Sequence, residues 1–121
     1  MKNFVYVALG GGAGAVIRHI ITGSGLVSLS VSLLLINIAG SFLIGLLTGA
    51  ASSKHINEAQ LLFLSTGFCG GLTTFSAFAG ESYNIGAQSA LLMLLYVVST
   101  ALLGIMAAYS GRRLTAKRGR G

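Results

Sequence analysis

The chain has 121 residues, of which 54% are hydrophobic and only ten are charged, eight basic against two acidic, for a formal net charge of +6. It contains no aspartate, proline or tryptophan, and its mean hydropathy is +0.84. An ordinary soluble domain is about one quarter charged and a disordered chain is polar and charge-rich, so both are excluded; the length allows one domain, with lipid as its solvent.

Crossing the ~30 Å hydrocarbon core takes about 20 apolar residues in a helix, and four stretches qualify. The first is Phe4–Ile21. The second is Ser30–Ala51, inside an uncharged run from Ile20 to Ser53. The third is Ala59–Gly80, bounded by Glu58 and Glu81. The fourth is Ile85–Tyr109, ending at Gly111-Arg112-Arg113. Strands of a membrane barrel would alternate polar and apolar residues. Leu33-Leu34-Leu35-Ile36 and Leu91-Leu92-Met93-Leu94-Leu95 do not, so the spans are helices. Lys2 and the first apolar run imitate a signal peptide, but no soluble mature protein follows. Cys69 is the only cysteine, so no disulfide forms within one chain.

Four spans put both termini and the middle loop on one side. That side carries Lys2, Lys54, Arg112, Arg113, Lys117, Arg118 and Arg120; the other carries Arg18 alone. Seven against one predicts cytoplasmic termini in the cell's inner (plasma) membrane. The tail reads first as a solvated orientation signal. Its charges could also suit anionic lipid or nucleic acid; membrane lipid is expected as a partner and nucleic acid is not.

In lipid, helices associate through small residues that let backbones approach. Gly10 and Gly14 form such a pair in the first span, and Gly45 and Gly49 in the second. Asn37, Ser41, Gly45 and Gly49 step by four along one face, as do Tyr96, Thr100, Gly104 and Ala108 in the fourth span. Packing accounts for the glycines better than for Asn37, whose amide is costly in hydrocarbon without partners. Val5-Tyr6-Val7 followed by Gly10-Gly11-Gly12-Ala13-Gly14-Ala15 imitates a dinucleotide fingerprint, but no acid lies about 20 positions on and no Rossmann sheet follows. Without aspartate there is no Ser-His-Asp triad, and two histidines, one cysteine and two glutamates fall at no metal-ligand spacing. His19 and His55 sit at predicted span ends. An enzyme is not expected.

The third span carries the most information. Gly67-Phe68-Cys69-Gly70-Gly71-Leu72-Thr73-Thr74-Phe75-Ser76-Ala77-Phe78 is poor helix at the predicted membrane centre, with a break expected at Gly70-Gly71. Broken backbone survives at that depth only inside protein or along a cavity, and in transporters such breaks hold ions near the midplane. Phe75 and Phe78, three apart, share a face once the helix resumes. The positive edges of their rings, the hydroxyls of Thr73, Thr74 and Ser76, and the Asn37 amide could together hold an anion with few waters. With no cation at mid-span the binding is weak and multi-site, as conduction requires.

These residues resemble the Fluc, or CrcB, family of fluoride channels across essentially the whole membrane region. Gly11 to Arg18 is similar to the family's first-helix motif. Asn37-Ile38-Ala39-Gly40-Ser41-Phe42 is similar to its second-helix motif. Gly67 to Phe78, with Glu81 three residues on, resembles its third-helix signature. Ala77, in place of the usual Thr or Ser, and Gly104, where a hydroxyl is often found, depart from the pattern.

The resemblance implies an all-α membrane protein of four helices with a broken third helix, assembled as an antiparallel, dual-topology dimer. Residues 1–111 would be the transmembrane channel domain and 112–121 a basic, disordered tail. The partner copy would be an identical chain or, given the charge bias, a paralogue of opposite orientation. The channel would export fluoride by passive electrodiffusion and confer fluoride resistance. The resemblance places the fluoride pore at Asn37, Ser41, Thr74, Phe75, Ser76, Phe78, Tyr96 and Thr100, an anion-attracting vestibule at Arg18, and a structural sodium ion at the dimer interface on the carbonyls of Gly70 and Thr73. Two alternatives stay open. A small multidrug-type transporter would need a glutamate in the first helix, and Phe4–Ile21 has no acid. A non-conducting accessory subunit would only pack beside another membrane protein.

Overall fold

The computed structural model describes residues 2–118; the side chains of Lys117 and Arg118, and residues 119–121 at the end of the expected basic tail, lie outside the described residues. Four helical spans follow one another: α1 (Lys2–Gly23), α2 (Leu29–Ser52), a composite third span, and α6 (Ala90–Arg118). The third span consists of α3 (Glu58–Leu61), a π-helical stretch (Leu62–Cys69), α4 (Gly70–Leu72) and α5 (Phe75–Gln88). All four spans are long and apolar enough to cross a bilayer.

Local chemistry ends the helices where the chain must turn. Ser28 caps α2 by accepting a hydrogen bond from the Val31 N–H, after a loop that turns at Gly25 with φ of 73°. Asn57 and Gln60 form a reciprocal capping box at α3, satisfying two otherwise orphaned donors. Ser89 is extended, and its hydroxyl accepts from the Leu92 N–H, so one residue separates α5 from α6.

Three boundaries differ from the sequence expectation. Glu81 does not end the third span: α5 continues to Gln88, and the Glu81 carboxylate accepts a hydrogen bond from the Ser30 hydroxyl on α2, so the acid has a partner within the bundle. The fourth span accordingly starts at Ala90, not Ile85, and runs through Arg118, which makes the described part of the segment from Arg112 helical. The break in the third span lies at Thr73-Thr74, not Gly70-Gly71. Gly70 to Leu72 stay helical, while Thr73 (ψ 156°) and Thr74 (φ −150°, ψ 124°) are extended, the conformation that suits their β-branched side chains.

The glycines explain why the helix holds through Leu72. A Cβ on Gly71 would stand 2.2 Å from the Gly11 carbonyl oxygen. One on Gly14 would stand 2.1 Å from the Phe68 oxygen, and one on Gly10 at the same distance from the Phe63 oxygen. The expected small-residue face of α1 therefore packs backbone to backbone on the third span. The face of α2 does the same against α6: Gly45 meets Ala108, Gly49 meets Arg112 and Thr115, and Gly111 meets Phe42 and Leu46. Side chains buried in this packing include Leu33, Ile36, Leu47 and Leu72. The outer faces of α1 and α6 are apolar and open, with Val16, Leu91, Leu95 and Leu102 all more than half exposed, as a lipid-facing surface requires.

Candidate functional site

The site begins with one side chain. Asn37, half-buried on α2, accepts a hydrogen bond at Oδ1 from the Thr74 N–H (3.1 Å) and donates from Nδ2 to the Thr74 carbonyl (3.5 Å). In an unbroken helix the Thr74 N–H would donate to the Gly70 carbonyl. Asn37 diverts it, so the amide both recovers its own burial cost and holds the helix open. Thr74 then caps the next segment, its hydroxyl accepting from the Ala77 N–H at 3.2 Å. Thr73 closes the preceding one, with its N–H and hydroxyl both donating to the Cys69 carbonyl at 2.9 and 2.8 Å.

Two half-helix ends of opposite polarity therefore meet at the break. The C-terminal end of α4 presents carbonyl oxygens, and the N-terminal end of α5 presents its N–H dipole. Gly70 is exposed, a Cβ there would meet nothing within 4 Å, and its carbonyl has lost its helical donor to Asn37. Hard oxygen donors of this kind suit a small hard cation. Thr73 differs: its carbonyl accepts from the Arg18 guanidinium at 3.4 Å. Arg18 thus reaches the break from α1.

On the α5 side lies an open cleft of about 640 Å³. Asn37, Ser41, Thr73, Thr74, Phe75, Phe78 and Thr100 line it, with apolar walls from Ile44, Val97, Ala101 and Ile105. No ionisable side chain lines this cleft. The two polar four-step faces oppose each other across it: a Cβ on Gly104 would stand 3.5 Å from the Ser41 hydroxyl. The Phe75 and Phe78 rings are 6.1 Å apart, centroid to centroid, at an interplanar angle of 50°. Phe78 also stacks on Tyr96 at 5.5 Å. Phe75 is 80% exposed, so one wall of the cleft is a ring projecting beyond the protomer.

Six of the eight expected pore residues are thus together: Asn37, Ser41, Thr74, Phe75, Phe78 and Thr100. Ser76 is exposed and lies outside the cleft. Tyr96 is one layer removed, supporting Phe78 by stacking while its hydroxyl donates to the Ser30 carbonyl at 3.2 Å. The Thr100 hydroxyl donates to the Tyr96 carbonyl at 2.7 Å, which commits its proton within the helix.

Sequence reasoning missed two features. Val97 and Ala101 sit one position beyond Tyr96 and Thr100 on the same helix, so widening that stripe by one position would have found them. The Ser30–Glu81 bond joins two residues that had been read as span ends, and no local pattern in the sequence pairs them. Chemically, ring edges, a helix N-terminus and hydroxyls in a cleft without a fixed acid favour a small anion held loosely. The carbonyl end of α4 favours a cation.

The chain is similar to known proteins over most of its length. Residues 5–112 match the family described as CrcB-like protein, Camphor Resistance (CrcB). The chain is 43% identical over 113 residues to Fluoride-specific ion channel FluC 2 of Rhodococcus jostii, covering 90% of this chain and 95% of that protein. It is 38% identical over 120 residues to Fluoride-specific ion channel FluC of Flavobacterium psychrophilum, covering 92% and 94%. It is 36% identical over 117 residues to the protein of the same name in Phocaeicola vulgatus, covering 92% and 96%.

Proposed function

The chain belongs to the CrcB-like family, and we propose on that footing that it is a fluoride channel of the plasma membrane. It is not an enzyme. It lets cytoplasmic fluoride leave by passive electrodiffusion and so lowers fluoride toxicity. Hydrogen fluoride is a weak acid that crosses lipid when neutral and dissociates at cytoplasmic pH; the anion it releases needs a protein path back.

The observation that carries the reading is the cleft at the broken third helix, with two phenylalanine rings, three threonines and one amide but no acid on its walls. We assign the permeation path to Asn37, Ser41, Thr74, Phe75, Phe78 and Thr100, with Ser76 and Tyr96 flanking it. Fluoride would rest against ring edges and hydroxyls in turn, each contact weak enough to release it. Arg18 adds positive charge beside the break. The 80% exposure of Phe75 supports a pore completed by a second copy, and we take the assembly to be an antiparallel dimer of this chain or of this chain with a paralogue. Gly70, exposed and with its carbonyl freed of its helical donor, supports one half of a backbone site for a structural sodium ion whose other half is the second copy's; the Thr73 carbonyl, which accepts from Arg18, would join it only by exchanging that bond for the ion. When bound, that ion supplies a fixed positive charge at the interface.

Anion efflux from liposomes containing the purified chain tests the function. The proposal expects rapid loss of fluoride and retention of chloride. Equal rates for both ions, or no flux of either, contradict it; proton-coupled uptake of an aromatic cation would instead identify a multidrug-type transporter.

A further inference from the structure

We propose that the C-terminal end of α6 is a binding surface for the headgroups of anionic phospholipids. The length of the helix comes first. At 29 residues and 1.5 Å each, α6 is about 43 Å long. Roughly 20 of those residues fill the ~30 Å hydrocarbon core, so a helix entering at Ala90 leaves the core near Tyr109, with Arg112 and Arg113 one turn beyond it.

The side chains there match that depth. Tyr109 is 62% exposed, and aromatic residues of its kind anchor at the headgroup level. The Arg113 guanidinium carbon lies 5.7 Å from the centre of the Tyr109 ring, which orients the cation along the helix. Arg112 is exposed beside it, and among the described residues neither guanidinium has a hydrogen-bonding partner in the protein. Leu114, 58% exposed, puts an apolar side chain on the same turn as the two cations. That combination fits the boundary between acyl chains and phosphates. It fits a nucleic acid less well, because a nucleic acid would leave Leu114 and Tyr109 without an apolar partner.

A second element brings charge to the same place. The backbone of Gly49 packs against the Arg112 carbonyl and Thr115. Lys54 therefore follows shortly after that contact, in the turn after α2, and is exposed at the same end of the bundle. A guanidinium presents a planar fork that matches the two free oxygens of a phosphodiester. Two such forks and a lysine at one end of the bundle set cationic donors at the depth of a singly charged lipid phosphate.

Native mass spectrometry tests this on the full chain, purified in detergent and doped with equal amounts of dioleoylphosphatidylglycerol and dioleoylphosphatidylcholine. The wild type should retain the phosphatidylglycerol preferentially. Arg112→Gln with Arg113→Gln should abolish the preference, a loss of roughly thirty-fold if each charge acts as cations do at an anionic surface. Arg112→Lys with Arg113→Lys should keep most of it, so a folding defect and a loss of charge give different results. Excess inorganic phosphate, or a single-stranded DNA oligonucleotide, should leave the lipid bound. Equal retention of the two lipids by the wild type, an undiminished preference in the glutamine variant, or displacement by phosphate or DNA would overturn the proposal.

Discussion

Asn37 can be tested with two substitutions that take apart its two jobs. Leucine removes both hydrogen bonds to Thr74, at 3.1 and 3.5 Å. The Thr74 N–H is then orphaned, at a cost of about 1–3 kcal/mol, unless it turns back to the Gly70 carbonyl and closes the break. Either way the two half-helix ends lose their geometry, so Asn37→Leu should unfold several degrees lower in detergent and conduct poorly. Aspartate keeps the Oδ1 acceptor and with it the stronger bond but turns its second oxygen on the Thr74 carbonyl, so Asn37→Asp should lose less thermal stability than Asn37→Leu. It also places a carboxylate on the wall of the cleft. At ~5 Å from a passing anion and an effective dielectric constant of ~20, the repulsion is about 3 kcal/mol, or about two orders of magnitude in flux. Thermal unfolding monitored by circular dichroism and fluoride efflux from liposomes read the two effects separately. Wild-type flux in Asn37→Asp, or wild-type stability in Asn37→Leu, would refute the reasoning.

Phe75→Ile should lower fluoride efflux strongly while leaving the proposed dimer intact by crosslinking, because the ring is exposed and supports no core of its own; loss of the crosslinked pair would make Phe75 an assembly residue instead. Thr100→Val should lower flux less than either Asn37 variant, since its hydroxyl proton is already committed to the Tyr96 carbonyl; a complete block would show that this hydroxyl turns to donate to the ion. Gly71→Ala pushes a methyl group to 2.2 Å from the Gly11 oxygen and should cost about 1–3 kcal/mol of stability, with an unchanged unfolding temperature counting against the packing described for α1. Replacing sodium with N-methylglucamine on both sides of the membrane should reduce fluoride flux, whereas insensitivity to sodium would remove the cation site from the proposal.

Most of the fold could be read in the sequence because lipid leaves few choices. The apolar run lengths gave four spans, and the four-step glycine and hydroxyl faces marked the packing surfaces, whose partners, α6 for α2 and the third span for α1, the structure supplies. Six of the eight residues expected at the pore line one cleft, since Asn37 and Ser41 share a face with Gly45 and Gly49, and Thr100 shares one with Gly104 and Ala108. What could not be read depended on partners distant in the chain. The break moved from the glycines to Thr73-Thr74 because Gly70 to Leu72 pack as helix on α1 while Asn37, 37 residues away in the chain, takes the Thr74 N–H. Glu81 looked like a span end because its partner, Ser30, lies 51 residues away. Arg18 looked like a mouth residue because nothing near it in sequence points to the Thr73 carbonyl.

Ion selectivity at a cleft without fixed charge is the centre of the account, and a reversal potential measures it without relying on flux amplitude. The purified chain in a planar bilayer, with equal sodium on both sides, a tenfold fluoride gradient and an opposing chloride gradient that keeps total anion equal, should carry a current that reverses near the fluoride equilibrium potential. Reversal near zero, where fluoride and chloride pass alike or sodium carries the current, or near the chloride equilibrium potential, would contradict it.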